Sequence, residues 1–167
     1  MKLYIVRHGQ AELSAGQHIE EMDRQRALTT EGHREAQAAG QHLREALAGE
    51  IPFVVVSPYR RAQETAQEIL PLLDLTWDAA ITIDSITPRN SAKEALAALQ
   101  AYENKSILVM IGHQPLISQL IAQLVWQKDE PSIAMGTAYV ACLDVETLSV
   151  GGAELLWIKS PRLFGNA

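Results

Sequence analysis

Short apolar runs separated by helix-length amphipathic segments constrain the fold of this 167-residue chain more than any other feature. Three of the runs, at residues 3–6, 53–56 and 107–111, are each followed at once by polar or basic residues. Runs of this length that alternate with helical periodicity are typical of βα units around a mostly parallel sheet. In open α/β sheets, ligands bind in the crevice outside the carboxyl ends of the strands, so the residues after these runs are the first candidates for a site.

The remaining strand candidates predict a mixed sheet. The apolar runs at residues 139–143 and 155–158 are joined through a pair of glycines, which indicates an antiparallel pair, and residues 81–83 add a further strand. We therefore expect an α/β three-layer sandwich with a mostly parallel, mixed central sheet flanked by helices, formed by a single domain over residues 1–167. Cys142 lies within a predicted strand, and we expect it to be a small core residue.

Polar capping residues predict where four helices begin. Thr29 and Ser91 stand directly before amphipathic stretches, as N-cap residues do. The Ser57–Pro58 pair predicts a third start, with serine as N-cap and proline at the first helical position. Pro115 predicts the start of a fourth helix, after the run at residues 107–111.

Other polar residues are expected in loops or on the surface. Residues 10–26 and 84–90 are polar and aperiodic, which predicts two loops at the rim of the crevice. We expect His18 in the first loop to lie on the surface. We expect the same of His33 and His42, on the polar face of the helix that follows Thr29.

The composition excludes several classes of partner. The formal net charge is −6, from 20 acidic and 14 basic residues, whereas binding to a nucleic-acid backbone needs a concentrated basic face. The apolar residues 3–6 are too few for a signal peptide, and no apolar run approaches the roughly 20 residues of a membrane span. With one cysteine, the chain cannot form an internal disulfide. We expect a cytoplasmic monomer that binds neither nucleic acid nor membranes.

The residues after the three apolar runs suit a phosphoryl group. Arg7 and His8 follow the first run, Arg61 lies shortly after the second, and His113 follows the third. Arginine offers forked donors to phosphate oxygens, and a neutral histidine can attack phosphorus. An unperturbed histidine pKa of about 6.5 leaves that neutral form abundant near neutral pH. We expect His8 to be the nucleophile that forms a phosphohistidine, resolved by water, while Arg7, Arg61 and His113 bind the phosphoryl oxygens.

Other interpretations of these residues remain open. Arg60 and Arg61, taken alone, are typical of a solvated helix face, and His113 alone is typical of a strand end with a satisfied ring. His8 and His113 also suggest a metal site. Zinc sites need three or four His, Cys or carboxylate ligands, however, and the neighbouring arginines would oppose a dication. We expect no metal and no other cofactor.

Four motifs occur in chain order: Arg7-His8-Gly9, Leu28-Thr29-Thr30-Glu31-Gly32, Ser57-Pro58-Tyr59-Arg60-Arg61-Ala62 and Gly112-His113. Together they resemble the histidine phosphatase superfamily, whose best-known branch is the phosphoglycerate mutases. The short length, Ile-Thr-Pro at 86–88 and the ending at 157–161 resemble more narrowly the SixA-type protein phosphohistidine phosphatases. The resemblance implies His8 as the phosphorylated nucleophile, with Arg7, Arg61 and His113 completing the phosphate pocket. The arginine that precedes alanine matches the family pattern, which selects Arg61 over Arg60.

The chain departs from this pattern at the general acid. Many superfamily members carry Glu or Asp on a loop after the third strand, whereas Ser85 stands where SixA-like relatives tend to have Glu. Asp84 is adjacent, but neighbouring residues at a strand end point in opposite directions. No long insertion between Leu73 and Ser91 is available to form a lid.

Both departures favour phosphohistidine on a protein as the substrate. Imidazole is a far better leaving group than an alkoxide, and an unlidded crevice admits a side chain presented by another protein. Substrates of the resembling family are histidine-phosphotransfer domains and related phosphocarriers in bacteria. The alternatives are a small-molecule phosphomonoesterase or pyrophosphatase of the same superfamily, expected if Asp84 points into the pocket, and an inactive phospho-ligand-binding module, which an intact His8 disfavours.

Overall fold

A six-stranded mixed sheet forms the centre of the protein. The computed structural model describes residues 1–14, 19–131 and 133–161. The strands lie in the order β3-β2-β4-β1-β5-β6. Their bounds are β1 Lys2–Arg7, β2 Phe53–Val56, β3 Ala80–Thr82, β4 Ile107–Gly112, β5 Val140–Val145 and β6 Ala153–Lys159. The strands β3, β2, β4 and β1 are parallel, and β5 and β6 add the antiparallel part, so the predicted sheet is confirmed.

In the described part of the chain, five α-helices connect and cover these strands. They are α1 Glu20–Arg24, α2 Thr30–Leu47, α3 Arg60–Ile69, α4 Ala92–Leu99 and α5 Leu116–Ile121, which continues as a π-helix over Ala122–Trp126. Thr29 caps α2 by accepting a hydrogen bond from the Gly32 amide, and Ser91 forms the predicted capping box with Glu94. Within the described ranges, no helix is long and apolar enough to cross a membrane.

The two faces of the sheet bury separate apolar clusters. Leu3 and Ile5 of β1 pack with residues of α4 and α5, whereas Tyr4 and Val6 pack with residues of α2 and α3. Successive side chains of a strand point to opposite faces, so a strand covered on both sides is apolar at every position. The uninterrupted runs in the sequence therefore correspond to the central strands of a three-layer sandwich. Cys142 of β5 lies in the second cluster, as predicted.

Three local predictions are wrong. The third helix begins at Arg60, not at Ser57–Pro58, because the buried Ser57 hydroxyl is bonded to the His113 ring and no side chain caps the helix. The loop predicted at residues 10–26 contains α1, a helix too short to be stable alone, which is held by side-chain contacts from Asp23.

His42 also differs from its expected surface position, since it is 2% exposed. Its Nε2 lies 3.0 Å from the Ser160 carbonyl, so the end of the chain after β6 covers this position on α2. Helical periodicity does not predict cover that comes from a distant segment. His33 is partly exposed, with Nδ1 2.7 Å from Glu68. His18 lies outside the described residues.

Candidate active site

The strand order places three predicted strand ends side by side. β2, β4 and β1 are adjacent and parallel, with Ile111 of β4 opposite both Val56 and Val6. The His8 amide donates to the Gly112 carbonyl at 3.0 Å, and the Ser57 amide donates to the Ile111 carbonyl at 3.1 Å. The segments that follow the three strands therefore leave the same edge of the sheet. We call the site formed there by Arg7, His8, Arg61 and His113 the strand-end crevice.

His8 is held as a neutral ring with a defined tautomer. Its Nδ1 lies 2.7 Å from the Gly9 carbonyl, which can only accept, so Nδ1 carries the proton and Nε2 keeps its lone pair. Burial lowers the pKa of His8 to about 3, and the charges of Arg61 and Arg7 act in the same direction, although the Gly9 hydrogen bond opposes them. The ring is therefore neutral over a wider pH range than the ring of an unperturbed histidine.

Arg61 reaches His8 from the first turn of α3. Its Nε donates to His8 Nε2 at 3.3 Å, and the residue is 4% exposed. Arg60 points outward and pairs with Glu64, so Arg61 is the arginine that the fold turns inward. Arginine stays charged in this setting, so a full positive charge lies beside the histidine nitrogen that bears the lone pair.

Asp23 of α1 brings a carboxylate to the edge of the crevice, where the sequence suggested cations alone. Its carbonyl accepts from Arg61 Nη1 at 2.7 Å, and its Oδ2 lies 3.3 Å from Arg61 Nη2. Its Oδ1 accepts from Arg26 at 2.9 Å. Burial opposes ionisation, but the hydrogen bonds from Arg26 and Arg61 outweigh it and hold the pKa of Asp23 below its usual range. Asp23 is therefore a carboxylate that orients Arg61.

Ser57 sets the tautomer of His113. The two side chains meet with Ser57 Oγ 2.7 Å from His113 Nε2, and Ser57 Oγ accepts from the Tyr59 amide at 3.3 Å. His113 Nε2 is the only acceptor within the described residues for the buried Ser57 hydroxyl hydrogen, so we assign that hydrogen to Nε2 and the ring proton to Nδ1. Burial, followed by the nearby His8 and Arg61, holds the pKa of His113 well below its ordinary value. His113 is thus a neutral donor.

Two buried nitrogens of the crevice are available to a ligand. Arg7 donates through Nη1 to the Met135 carbonyl at 2.8 Å, but its Nε has no partner among the described residues. In the same part of the chain, His113 Nδ1 also has none. Buried donors are nearly always hydrogen-bonded in folded proteins. The rings of His8 and His113 lie 5.0 Å apart, so His113 borders the His8 ring.

Gly9 and Thr65 connect the end of β1 to α3. The Gly9 amide donates to Thr65 Oγ1 at 3.0 Å, and Thr65 Oγ1 donates to the Arg61 carbonyl at 2.7 Å. A side chain on Gly9 would place its Cβ 2.4 Å from the Gly32 carbonyl oxygen. Glycine is therefore required at position 9, where the chain passes the first turn of α2. These contacts fix His8 relative to Arg61.

A second depression of about 270 Å³ lies beside the crevice, and its lining residues are Glu20, Asp23, Tyr59 and Arg89. We call it the rim cleft. The predicted loop at residues 84–90 contributes Arg89 to it, and that loop begins with a short 3-10 turn over Asp84–Ile86. Asp84 itself is exposed.

No cluster of three or more His, Cys, Asp or Glu side chains in the described part of the chain could hold a metal ion. Sequence reasoning missed Ser57 as a site residue, as well as Asp23 and Tyr59. Ser57 stands before proline, a pattern that also fits a helix start, and its contact with His113 does not show in the sequence. Asp23 and Tyr59 gain their positions through contacts between distant segments. The Ser57-Pro58-Tyr59 motif, which is part of the family resemblance, is the sequence signal for Ser57 and Tyr59.

Known proteins resemble this chain over most of its length. A sequence model described as histidine phosphatase superfamily (branch 1) matches residues 3–84. Phosphohistidine phosphatase SixA of Escherichia coli is 31% identical over 163 residues, which cover 96% of this chain and 94% of that protein. A phosphohistidine phosphatase SixA homolog of Haemophilus influenzae is 29% identical over 144 residues, 82% of this chain and 85% of the homolog.

A solved structure is similar over the whole fold. It is the protein histidine phosphatase SixA complexed with tungstate, which superimposes with a TM-score of 0.82 at 31% identity. The superposition covers 98% of this chain and 99% of that one.

Proposed function

The chain belongs to the histidine phosphatase superfamily, and from this membership we propose that it removes the phosphoryl group from phosphohistidine on a protein, through a phospho-His8 intermediate. The observation that carries the proposal is the His8 ring, whose Nδ1 is fixed on the Gly9 carbonyl at 2.7 Å and whose Nε2 faces Arg61 at 3.3 Å. A neutral imidazole in this tautomer is a competent nucleophile toward phosphorus.

The crevice supplies the charge that phosphoryl transfer requires. As His8 Nε2 attacks, the transferred group carries negative charge on its three outer oxygens. Arg61 Nε can move its hydrogen bond from His8 to one of these oxygens, and Arg7 Nε and His113 Nδ1 are further donors. The Gly9 carbonyl stabilises the positive charge that develops on the His8 ring. Water then attacks phospho-His8 and releases phosphate. The tungstate bound by the related SixA structure, an oxyanion, supports an oxyanion site of this kind.

The rim favours an imidazole leaving group on a protein surface. Asp84 is exposed, and no hydrogen bond or ion pair within the described residues holds its carboxylate in a position from which to protonate an alkoxide. Between Leu73 and Ser91 the chain forms only β3 and two short 3-10 turns, so the described structure provides no helical lid there. A protruding histidine side chain can therefore reach the crevice.

The partner we propose is a histidine-phosphotransfer domain or a related phosphocarrier, within bacterial signal transduction in the cytoplasm. We further propose that residues 1–167 act as one domain and as a monomer. The names of the Escherichia coli and Haemophilus influenzae relatives support phosphohistidine as the substrate class.

The test is release of phosphate from a matched panel of substrates. The purified protein is incubated with phosphohistidine proteins, a phosphoserine peptide and sugar phosphates, with His8→Ala as the control. We expect rapid release from at least one phosphohistidine protein and little from the monoesters. Rapid hydrolysis of the monoesters, together with no phosphate release from any phosphohistidine protein, would establish the small-molecule alternative.

A further inference from the structure

The rim cleft is connected to the strand-end crevice by two of its own residues. Asp23 Oδ2 lies 3.3 Å from Arg61 Nη2, so one wall of the cleft contacts the arginine that faces His8. The Tyr59 ring lies 5.1 Å from the Arg61 guanidinium carbon and 5.2 Å from the His113 ring. The cleft therefore adjoins the position of a phosphoryl group in the crevice, where a leaving group can be held.

The hydroxyl of Tyr59 is an unused hydrogen-bonding group in the wall of the cleft. The residue is 1% exposed, and its Oη has no partner among the residues that the structure describes. Burial and the carboxylates of Glu20 and Asp23 raise the pKa of Tyr59, so the hydroxyl keeps its proton. A buried donor without a partner is rare in folded proteins and indicates a ligand at this position.

Charged groups of both signs surround the cleft. Asp23 faces Arg26 and Arg61, Glu20 pairs with Arg89, and Arg24 lies over the Tyr59 ring. Each Asp23 oxygen receives one hydrogen bond from an arginine and has a further lone-pair direction available. The carboxylate can therefore accept one more hydrogen bond without losing its present partners.

Phosphohistidine requires an acceptor of this kind if no acid protonates the leaving atom. In the transfer, the His8 Nε2 lone pair forms a bond to phosphorus, and the bond between phosphorus and the substrate ring nitrogen breaks. That electron pair stays on the departing nitrogen. The departing ring is neutral only if its other nitrogen keeps a proton, and otherwise it leaves as an imidazolate. A carboxylate that accepts this second N–H holds the proton in place.

We propose that the rim cleft binds the imidazole of the phosphohistidine substrate, with the Asp23 carboxylate accepting the N–H of the ring nitrogen that does not carry phosphorus. The Tyr59 hydroxyl donates to the departing nitrogen as its lone pair is released. This inference rests on the proposed function and adds to it the group that selects the leaving ring. It replaces the acid that Ser85 cannot provide, because the proton is brought by the substrate ring and stays on that ring, held there by the Asp23 carboxylate.

The test compares two substrates that share an N–P bond but differ in the leaving group. Phosphohistidine has a ring with a second nitrogen, whereas phosphoramidate releases ammonia and has no ring to hold. Values of kcat/KM are measured for both substrates with the wild type and with Asp23→Asn. Glu21→Gln is the matched control, because this substitution removes the same charge from the same helix. The Glu21 side chain accepts a hydrogen bond from Gln25 and does not line the cleft.

We expect Asp23→Asn to lower the ratio of the two kcat/KM values, phosphohistidine over phosphoramidate, by about tenfold or more. Glu21→Gln should leave the ratio within about twofold. Equal losses on both substrates in Asp23→Asn would overturn the inference, because Asp23 would then act only by orienting Arg61, and would leave the proposed function standing. A wild type that cleaves phosphoramidate but no phosphohistidine would overturn the proposed function itself.

Tyr59→Phe provides a second variant if Asp23→Asn fails to fold. The Tyr59 hydroxyl has no partner among the described residues, so its removal breaks no hydrogen bond within them. We expect the same ratio to fall by about threefold or more. An unchanged ratio in Tyr59→Phe would contradict the placement of the ring in the rim cleft.

Discussion

The strand-end crevice and the rim cleft meet at Arg61, yet they are built in different ways. In the crevice, His8 and His113 are 7% and 0% exposed and stand at the ends of strands buried on both faces. In the cleft, the side chains of Glu20 and Arg89 are 52% and 65% exposed and belong to a short helix and a surface segment. The two histidines of the crevice are therefore positioned by the sheet, whereas these two residues of the rim remain largely exposed to solvent.

The two regions also differ in charge. The crevice directs arginines and neutral histidine rings at a dianionic phosphoryl group, and the cleft adds the carboxylates of Glu20 and Asp23. The charges of phosphohistidine are complementary to these, since its phosphoryl oxygens are negative and its ring carries a proton. The contrast predicts large effects on all substrates from the crevice and smaller, substrate-dependent effects from the rim.

The largest effect among the supporting residues is expected at Arg61. Arg61→Gln should lower kcat/KM by about 10² to 10³ for every substrate, because it removes the charge beside His8 Nε2. Arg60→Gln is the matched control, since Arg60 pairs with Glu64 on the exposed face of the same helix. Its kcat/KM should stay within about twofold of the wild type. Similar losses in both variants would remove the distinction between the two arginines.

Ser57 tests whether the crevice depends on the tautomer of His113. Ser57→Ala should lower kcat by about tenfold and cost about 1 to 3 kcal/mol of unfolding free energy, because a buried ring nitrogen loses its partner. Ser91→Ala removes the N-cap of α4 and should cost about 1 kcal/mol without changing kcat. Urea unfolding and steady-state kinetics on both variants would separate the two effects. If kcat fell equally in the two variants, Ser57 would be a stabilising residue only.

Asp84 tests the rim for a hidden general acid. Asp84→Asn should reduce phosphohistidine turnover by less than about tenfold, because the exposed carboxylate has no fixed position at the crevice. Phosphoserine should be cleaved poorly by the wild type and the variant alike. A loss of about a thousandfold, together with fast phosphoserine hydrolysis in the wild type, would indicate an acid-assisted monoesterase.

The smallest effect concerns stability against pH. The pKa of His8 is about 3 in the folded protein and about 6.5 when unfolded, so the unfolded chain binds more protons between these values. The contribution of His8 to stability is therefore intact above about pH 6.5 and is lost as the pH falls toward 3. His8→Ala should flatten the acid slope of the unfolding free energy by at most about 1.4 kcal/mol per pH unit. Parallel pH profiles for the two proteins would show that the His8 ring is not held neutral.

The nucleophile and its cationic neighbours could be predicted because their positions follow from chain order. Arg7, His8 and His113 each stand at the end of a parallel strand, and such ends share one edge of the sheet. Arg61 could be selected because it precedes alanine in a family motif. The fold class was predictable for the same reason, since runs buried on both faces are apolar at every position.

The remaining site residues depend on contacts between segments that are distant in the sequence. Ser57 reaches His113 from 56 positions away, and Asp23 reaches Arg61 from 38. The sequence predicts a loop at α1 because none of its five residues is buried, and the helix is held by contacts of its charged side chains such as Asp23 with Arg61. Hydrophobic periodicity reports burial, so it cannot report a helix that is fixed by its charges.

The central claim is that His8 is phosphorylated during turnover, and trapping the intermediate tests it most directly. A phosphohistidine protein is mixed with the enzyme, quenched without acid, digested and examined by mass spectrometry, with His8→Ala in parallel. We predict an acid-labile phosphoryl group on the His8 peptide of the wild type. In His8→Ala we predict no phosphoryl group on the corresponding enzyme peptide and no turnover. Phosphate release by the wild type with no label on His8, or turnover above a few per cent in His8→Ala, would contradict the account.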